Sequence, residues 1–407
     1  MKELFRWVVD NFNYSCKLLT SKPLTRMKNQ VFIPLNEPKE VLAGIFSYSQ
    51  ERYGDLTQLA TYIAHYYDQT LRRDGFDGAW AQVLLNDKGE YILKLFCEKS
   101  DLGAYEEKIP AFIQAAKIGL ETFMEIKPAL NDVGCAVEFL LPFGLSLIHS
   151  NSIQLLHYPP LESLVYHDYL YSPTNRRYEN LLAFNDTTTN TIQRMETIVD
   201  CVPLAAPGDD GNLLKPYNNS FADYGMAMLR TKLNSHRQGE KKQTQCVVAY
   251  GSAVVSWLKL DSTFGPQLKG IDTSVLSLVH LDILNDGSTT PVLIANHPSK
   301  MLYYTDSYQY YVEENGAEMT PKEYATNKMQ IMTQDLITAG WHAEMAQNPL
   351  KDPQKVLDSM CDYWNNHQKK VADIVRIQDL AFSYNGLMTE INYNKTQDQN
   401  SGSVSNS

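Results

Sequence analysis

The stretch CVVAYGSAVVSWLKL, from Cys246 to Leu260, constrains the fold more than any other part of the chain. A run of β-forming residues meets Gly251 and Ser252, and an apolar pattern with helical spacing follows. A strand that passes through a glycine turn into a helix is the repeating unit of an α/β sheet. Ligands of such sheets bind at the carboxyl ends of the strands, so this turn is predicted to lie at a binding edge.

Two further segments are predicted to be strands that end in polar corners. ENLLAFNDTTTN reads as a strand that ends at Asn185 and Asp186, and PVLIANHPS reads as one that ends at His297. Strand ends of a mostly parallel sheet share one edge. The sequence therefore predicts that these three polar side chains and the Gly251 turn converge on one cleft.

Composition excludes several classes of protein. A chain of 407 residues with 43% hydrophobic content can bury a large core, so it is not a disordered protein. Its six cysteines form no C-x-x-C pair, which argues against zinc sites, iron–sulfur clusters and a disulfide framework. Free thiols and the absence of a signal or membrane-spanning segment predict a cytoplasmic protein. A net charge of −11 disfavours nonspecific coating of nucleic acid.

The pattern along the chain predicts three folded regions and a tail. We expect an α+β region over 1–165, an α/β domain with a mostly parallel sheet flanked by helices over 166–320, a helical region over 321–394 and a disordered tail over 395–407. Within the first region, AWAQVLLNDKGEYILKLF predicts a β-hairpin. In the third, Thr320-Pro321 and Asp352-Pro353 predict helix starts.

The order of these elements resembles the uracil-DNA glycosylase superfamily. His297-Pro298-Ser299 matches its late motif, and Asn185 is similar to the Asn of its early motif. VVAYGSAVVSWL resembles the strand, glycine and helix found between them. The likeness covers about 166–320, and the chain has Asp186-Thr187 where the family often has Pro-Gly.

The resemblance implies a DNA glycosylase that acts without metal or cofactor. Such an enzyme hydrolyses the bond between deoxyribose and a flipped-out uracil or modified base, such as one of the phage type, and leaves an abasic site. His297 would donate to the departing base, and Asn185 or Asp186 would hold the water. Lys300 would bind phosphate, and Met301 with Leu302 would form an apolar wedge in DNA. The remaining pocket candidates are Phe184, Tyr217 or Phe221 for stacking on the base, and Gly251, Ser252 and Ser299 along the wall.

Each of these residues also has a plainer interpretation. Asn185-Asp186-Thr187 is ordinary turn chemistry, and Met301 and Leu302 are as compatible with the start of a buried helix. A histidine before a proline also suits a simple hydrogen bond at a strand end. The predicted function rests on their occurring together and in order.

Two other functions stay open at this stage. The α/β domain could be a nucleic-acid-binding or protein-binding module that has lost its water-holding residue. Ser252, Asp282 and His297 occur in the chain order of an α/β-hydrolase triad. That reading is weaker because Tyr250 occupies a position where the nucleophile turn needs a small residue.

Overall fold

The computed structural model describes residues 29–98, 101–134, 137–159, 173–185, 197–205, 214–233, 245–304, 308–316 and 318–379. The predicted tail over 395–407 and the predicted site residue Asp186 lie outside these described residues.

The described elements run in the following order. The first group comprises β1 (Asn29–Leu35), α1 (Lys39–Ile45), α2 (Gln50–Tyr53), α3 (Leu59–Arg73), β2 (Trp80–Leu85), β3 (Tyr91–Cys97) and α4 (Ala104–Asp132). The second comprises β4 (Glu138–Phe139), β5 (Ser152–Leu156), α5 (Pro173–Phe184), β6 (Ile198–Asp200), β7 (Leu204–Ala205), a 3-10 helix (Lys215–Phe221), α6 (Ala222–Leu233), β8 (Cys246–Tyr250), α7 (Ser252–Leu260) and α8 (Gly265–Leu268). The third comprises β9 (Leu278–Leu281), β10 (Thr290–Ala295), a 3-10 helix (Pro298–Tyr303), α9 (Tyr308–Asn315), α10 (Pro321–Gln347) and α11 (Pro353–Asn366), and residues 368–379 are again helical.

The N-terminal region is an antiparallel sheet backed by helices. The order is β1-β3-β2, and β2 and β3 form the predicted hairpin. Alternate residues of β1, such as Val31 and Ile33, are buried, while Phe32 between them is exposed. This alternation is expected of a sheet with one face toward a core. The prediction of an α+β region is confirmed.

The second sheet is the predicted mostly parallel one. Its strand order is β6-β5-β8-β10-β9, with four parallel strands and an antiparallel edge strand, β9. In the sheet, β5 lies between β6, which is the next strand of this sheet along the chain, and β8, which is a later one. The chain order therefore reverses direction between β5 and β8, which is the topological switch point where such sheets bind ligands.

Two predictions about this sheet are wrong. The expected boundary at 165 falls after β5, so a central strand lies in what was predicted to be the N-terminal region. The segment ENLLAF, predicted to be a strand, belongs to helix α5. Its apolar residues Leu181 and Leu182 are buried against the C-terminal helices, a packing that a short sequence window does not distinguish from strand burial.

The two faces of the parallel sheet are covered by different parts of the chain. One core cluster joins the N-terminal region to residues such as Ile153, Val247 and Ile294 of the sheet. The other joins the opposite face to α10 and α11, with Trp341 and Trp364 among its largest members. The helical C-terminal region is confirmed.

The structure also contains the helix starts that the sequence predicts, and its described cysteines are free thiols. Thr320 and Glu323 form a reciprocal capping box, and Asp352 caps α11. Among the described cysteines, Cys97, Cys201, Cys246 and Cys361 are free thiols. None of the described helices combines the length and apolar character that crossing a membrane requires.

Asp74 connects the N-terminal helices to the segment that leads into β5. Its buried carboxylate accepts hydrogen bonds from the Tyr105 hydroxyl and from the backbone N–H groups of Leu147, Ile148 and His149. The Ser146 hydroxyl donates to it as well. A carboxylate with this many donors holds the chain in place before it enters the sheet.

We expect Asp74→Ala to lower the free energy of unfolding by about 3 kcal/mol, because several buried donors lose their acceptor. Urea unfolding followed by circular dichroism measures this change. The exposed neighbour Asp77 provides the control, and Asp77→Ala should stay within about 0.5 kcal/mol of the unsubstituted protein. An equal loss in both variants would contradict the role of Asp74.

Candidate active site at the carboxyl edge of the parallel sheet

Four polar corners occupy the carboxyl edge of the parallel strands. β5 ends at His157, β6 at Asp200, β8 at Gly251 and β10 at Asn296-His297. The Gly251 N–H donates to the Ala295 carbonyl at 2.8 Å. Gly251 has φ +88°, and a Cβ there would lie 3.1 Å from the Cβ of His297. The glycine thus allows the β8 and β10 corners to touch, which confirms that these two predicted corners converge.

The imidazole of His297 is held in one tautomer. Its Nδ1 accepts from the Ser299 N–H at 3.2 Å and lies 2.5 Å from the Ser299 hydroxyl. Burial, together with the nearby His157 and Arg177, lowers the pKa of His297 to about 4. The ring is therefore neutral at physiological pH, with its proton on Nε2. That N–H is available to donate to a ligand.

His157 is a second buried imidazole, which the sequence reasoning missed. Its Nε2 lies 3.0 Å from Oδ1 of Asn218, on the 3-10 helix Lys215–Phe221. An amide oxygen only accepts, so Nε2 carries the proton and Nδ1 presents a lone pair. Burial lowers the pKa of His157, and the positive charge of Lys215 adds to this effect. The signal was in the sequence, because SIQLLHYPP also places a histidine where a β-run meets prolines.

The two histidine rings have complementary hydrogen-bonding nitrogens. His297 offers an N–H donor, and His157 offers a lone-pair acceptor. They end strands on either side of β8, and they are close enough for a charge on His157 to lower the pKa of His297. A neutral donor and a neutral acceptor at one edge are suited to acid–base chemistry on a bound molecule.

A buried ion pair stabilises the corner that carries His297. Arg177 of α5 donates to Oδ2 of Asp335 of α10 at 2.7 Å and also to the Pro298 carbonyl. The Asn296 amide donates to Gln334 at 2.8 Å, next to Asp335 on the same helix. The corner is thus fixed by side chains from two helices, which keeps the His297 ring in place.

We expect Asp335→Ala to lower the free energy of unfolding by about 3–5 kcal/mol, because the Arg177 charge would stay buried without its partner. The double variant Arg177→Met with Asp335→Leu should recover more than half of that loss in urea unfolding. The exposed pair Lys351–Glu344 is the control, and Lys351→Ala should cost less than about 1 kcal/mol. A double variant as unstable as Asp335→Ala would contradict this account.

The buried carboxyl group of Asp200 lies at the same carboxyl edge of the sheet. It is 2% exposed, and its Oδ1 has no hydrogen-bond partner among the described residues. Burial raises the pKa of Asp200 to about 7. It ends the strand beside β5, paired in register with Leu156.

This raised pKa predicts a pH-dependent stability. Below about pH 4 the carboxyl is protonated in both folded and unfolded chains, and between pH 4 and 7 only the unfolded chain ionises. The contribution of Asp200 to the free energy of unfolding should therefore fall as the pH rises through this window, by up to about 4 kcal/mol. Asp200→Asn should be more stable than the unsubstituted protein at pH 8 and equal to it at pH 4, as measured by urea unfolding at both values. The exposed Asp223→Asn should show no such difference.

Several predicted site residues lie away from this edge. Asn185 follows helix α5, and its amide bonds to the carbonyls of Leu181 and Leu336 and to the indole of Trp364. The prediction that Asn185 ends a strand at the cleft is therefore wrong. Its polar atoms instead hold α5 against the C-terminal helices, and Phe184 packs on the same cluster.

Two apolar candidates belong to the core. Phe221 is fully buried, so the prediction that it stacks on a base is wrong. Met301 is 5% exposed and packs in the cluster with the C-terminal helices, so its predicted role as an exposed wedge is also wrong. The side chain of Leu302 lies outside the described part of the chain.

Other predicted residues do reach the edge. Ser252 is exposed at the start of α7, next to Gly251, and Ser299 bonds His297. Lys300 is exposed and donates to Asn296 at 3.0 Å. Tyr217 is half-buried beside Asn218, so it stays a candidate for stacking.

The alternative hydrolase triad is not assembled. Asp282 follows the antiparallel strand β9, whose end pairs with Thr290 at the start of β10. His297 follows the other end of β10, so the two are separated by more than the length of that strand, which is about 17 Å. Asp282 instead accepts from the N–H groups of Asp286 and Gly287 in its own loop.

Within the described residues, no group of three or more His, Cys, Asp or Glu side chains is arranged to hold a metal ion.

An open surface groove of about 600 Å³, lined by Lys259, Pro266 and Ile271 among others, lies at the far end of α7 from Gly251. The carboxyl edge therefore holds the acid–base groups, and the groove does not.

The sequence was compared with models of known protein families and with curated proteins, and neither comparison gave a match.

Proposed function

We propose that this protein is a DNA glycosylase that hydrolyses the N-glycosidic bond of uracil or a modified base flipped out of DNA. The observation that carries the proposal is the neutral His297 ring at the carboxyl edge, whose Nε2–H donates to no partner among the described residues. The sheet order supports it, because the switch point beside β8 lies between His157 and the His297 corner.

The chemistry of the bond explains why such a histidine is useful. When the glycosidic C–N bond breaks, negative charge develops on the carbonyl oxygens of the departing base and positive charge on the sugar. A neutral donor stabilises that oxygen without repelling the cationic sugar. The low pKa of His297 therefore suits this reaction better than a protonated ring would.

Two exposed lysines support a DNA substrate. Lys300 follows the His297 corner, and Lys215 lies on the 3-10 helix that reaches His157. Ammonium groups on both sides of the histidines suit a substrate with phosphates on either side of the reacting nucleotide. The net charge of the whole chain is −11, which disfavours nonspecific binding of DNA over the rest of the surface.

One observation favours a second candidate function, a module that binds nucleic acid without cleaving it. The first strand of the parallel sheet, β5, ends in His157-Tyr158-Pro159, whereas the superfamily resemblance implies an Asn or Asp that positions water. A module of this kind would bind DNA and release no base.

The test is base release from uracil-containing DNA and from DNA with bulky modified bases, detected by alkaline cleavage of the abasic product. His297→Ala should lower release about 100-fold or more, because the leaving base loses its hydrogen-bond donor. His280→Ala provides the matched control, since His280 is exposed on the edge strand β9.

The control should keep the rate of the unsubstituted protein, and both variants should keep their circular dichroism spectra. Binding of DNA by the unsubstituted protein with no abasic product from any substrate would favour the module. A folded His297→Ala variant that releases base at the full rate would remove the proposed function.

A further inference from the structure

The inference concerns how water is activated, and it rests on the proposed function. Asn185 was expected to hold the water, but its amide is fully engaged with the C-terminal helices. Asp186, the other residue expected to hold the water, lies outside the described residues. A group at the described carboxyl edge can instead accept a proton from the attacking water.

We propose that His157 is this group and that Asn218 is the residue that positions it. His157 is 8% exposed, and its Nε2–H donates to Asn218 Oδ1, so the Nδ1 lone pair is left to accept. Among the described residues, no hydrogen bond uses this Nδ1. The ring is further fixed by an edge-on contact with Tyr158, whose ring centroid lies 4.9 Å away.

The proposed step balances as follows. Nδ1 of His157 accepts one proton of the water while the water oxygen forms a bond to C1′ of the sugar. The C–N bond breaks, and its electron pair leaves with the base, whose carbonyl oxygen accepts a hydrogen bond from Nε2–H of His297. The proton on His157 then passes through solvent to the base anion.

The charged groups around His157 determine the pH range in which it can accept a proton. Lys215 approaches from the 3-10 helix, His297 lies beyond β8, and Arg177 of α5 lies near His297. Asp200 ends the neighbouring strand β6. Burial and Lys215 keep His157 unprotonated at neutral pH, which is the form that accepts a proton. Base release should therefore fall at acid pH as this ring becomes protonated.

Asn218→Asp tests the positioning role through the pH profile. A carboxylate facing Nε2–H stabilises the protonated ring, so the acid limb of the single-turnover rate should move to higher pH by about one unit. Asn219→Asp is the matched control, because it adds the same charge at the exposed neighbouring position. Its acid limb should stay where it is in the unsubstituted protein.

His157→Ala tests the catalytic role directly. It should slow single-turnover base release about 100-fold. The Kd for DNA carrying a tetrahydrofuran abasic analogue should change less than about threefold, because the ring contributes to the reaction step more than to binding.

A full rate in His157→Ala, or an unmoved acid limb in Asn218→Asp, would overturn this proposal while the proposed function stands. No base release by the unsubstituted protein would remove both proposals together. If His157→Ala does not fold, the comparison of Asn218→Asp with Asn219→Asp decides the question.

Discussion

The parallel pairing of β5, β8 and β10 is the constraint on which the rest of the structure depends. Parallel strands place their carboxyl ends at one edge, so residues 157, 251 and 297 lie at the same edge although they are far apart in the chain. Neighbouring strands lie roughly 5 Å apart, which leaves little room where the corners touch. Gly251 meets that limit, since any side chain there would press on His297.

The chemistry of the edge follows from which nitrogen of each ring is occupied. The Ser299 N–H occupies Nδ1 of His297, and the Asn218 oxygen occupies Nε2 of His157. Burial keeps both rings neutral, so each presents one defined polar atom. The same low-dielectric surroundings raise the pKa of Asp200 to about 7, so much of this carboxyl is protonated near neutral pH. The edge therefore carries little charge of its own, apart from the exposed lysines at its rim.

Local patterns were enough to predict the hairpin, the β8-Gly251-α7 unit, the strand before His297 and the helix caps, because these depend on neighbouring residues. They were not enough to predict that ENLLAF is helical, because its apolar residues pack at an interface between helices. Asn185 resembled a strand end for the same reason. His157 was missed because its strand lies before the expected boundary of the α/β domain. The partners Arg177 and Asp335 lie 158 positions apart, a distance that no local pattern spans.

The buried pair between Arg177 and Asp335 has a consequence for biosynthesis. The His297 corner contains Pro298, whose carbonyl receives Arg177, and the same guanidinium needs Asp335 from α10. A nascent chain can form β10 before α10 has left the ribosome, but it then carries an arginine whose counter-ion has not yet been synthesised. The carboxyl edge can therefore be complete only after α10 has been synthesised and docks on the sheet.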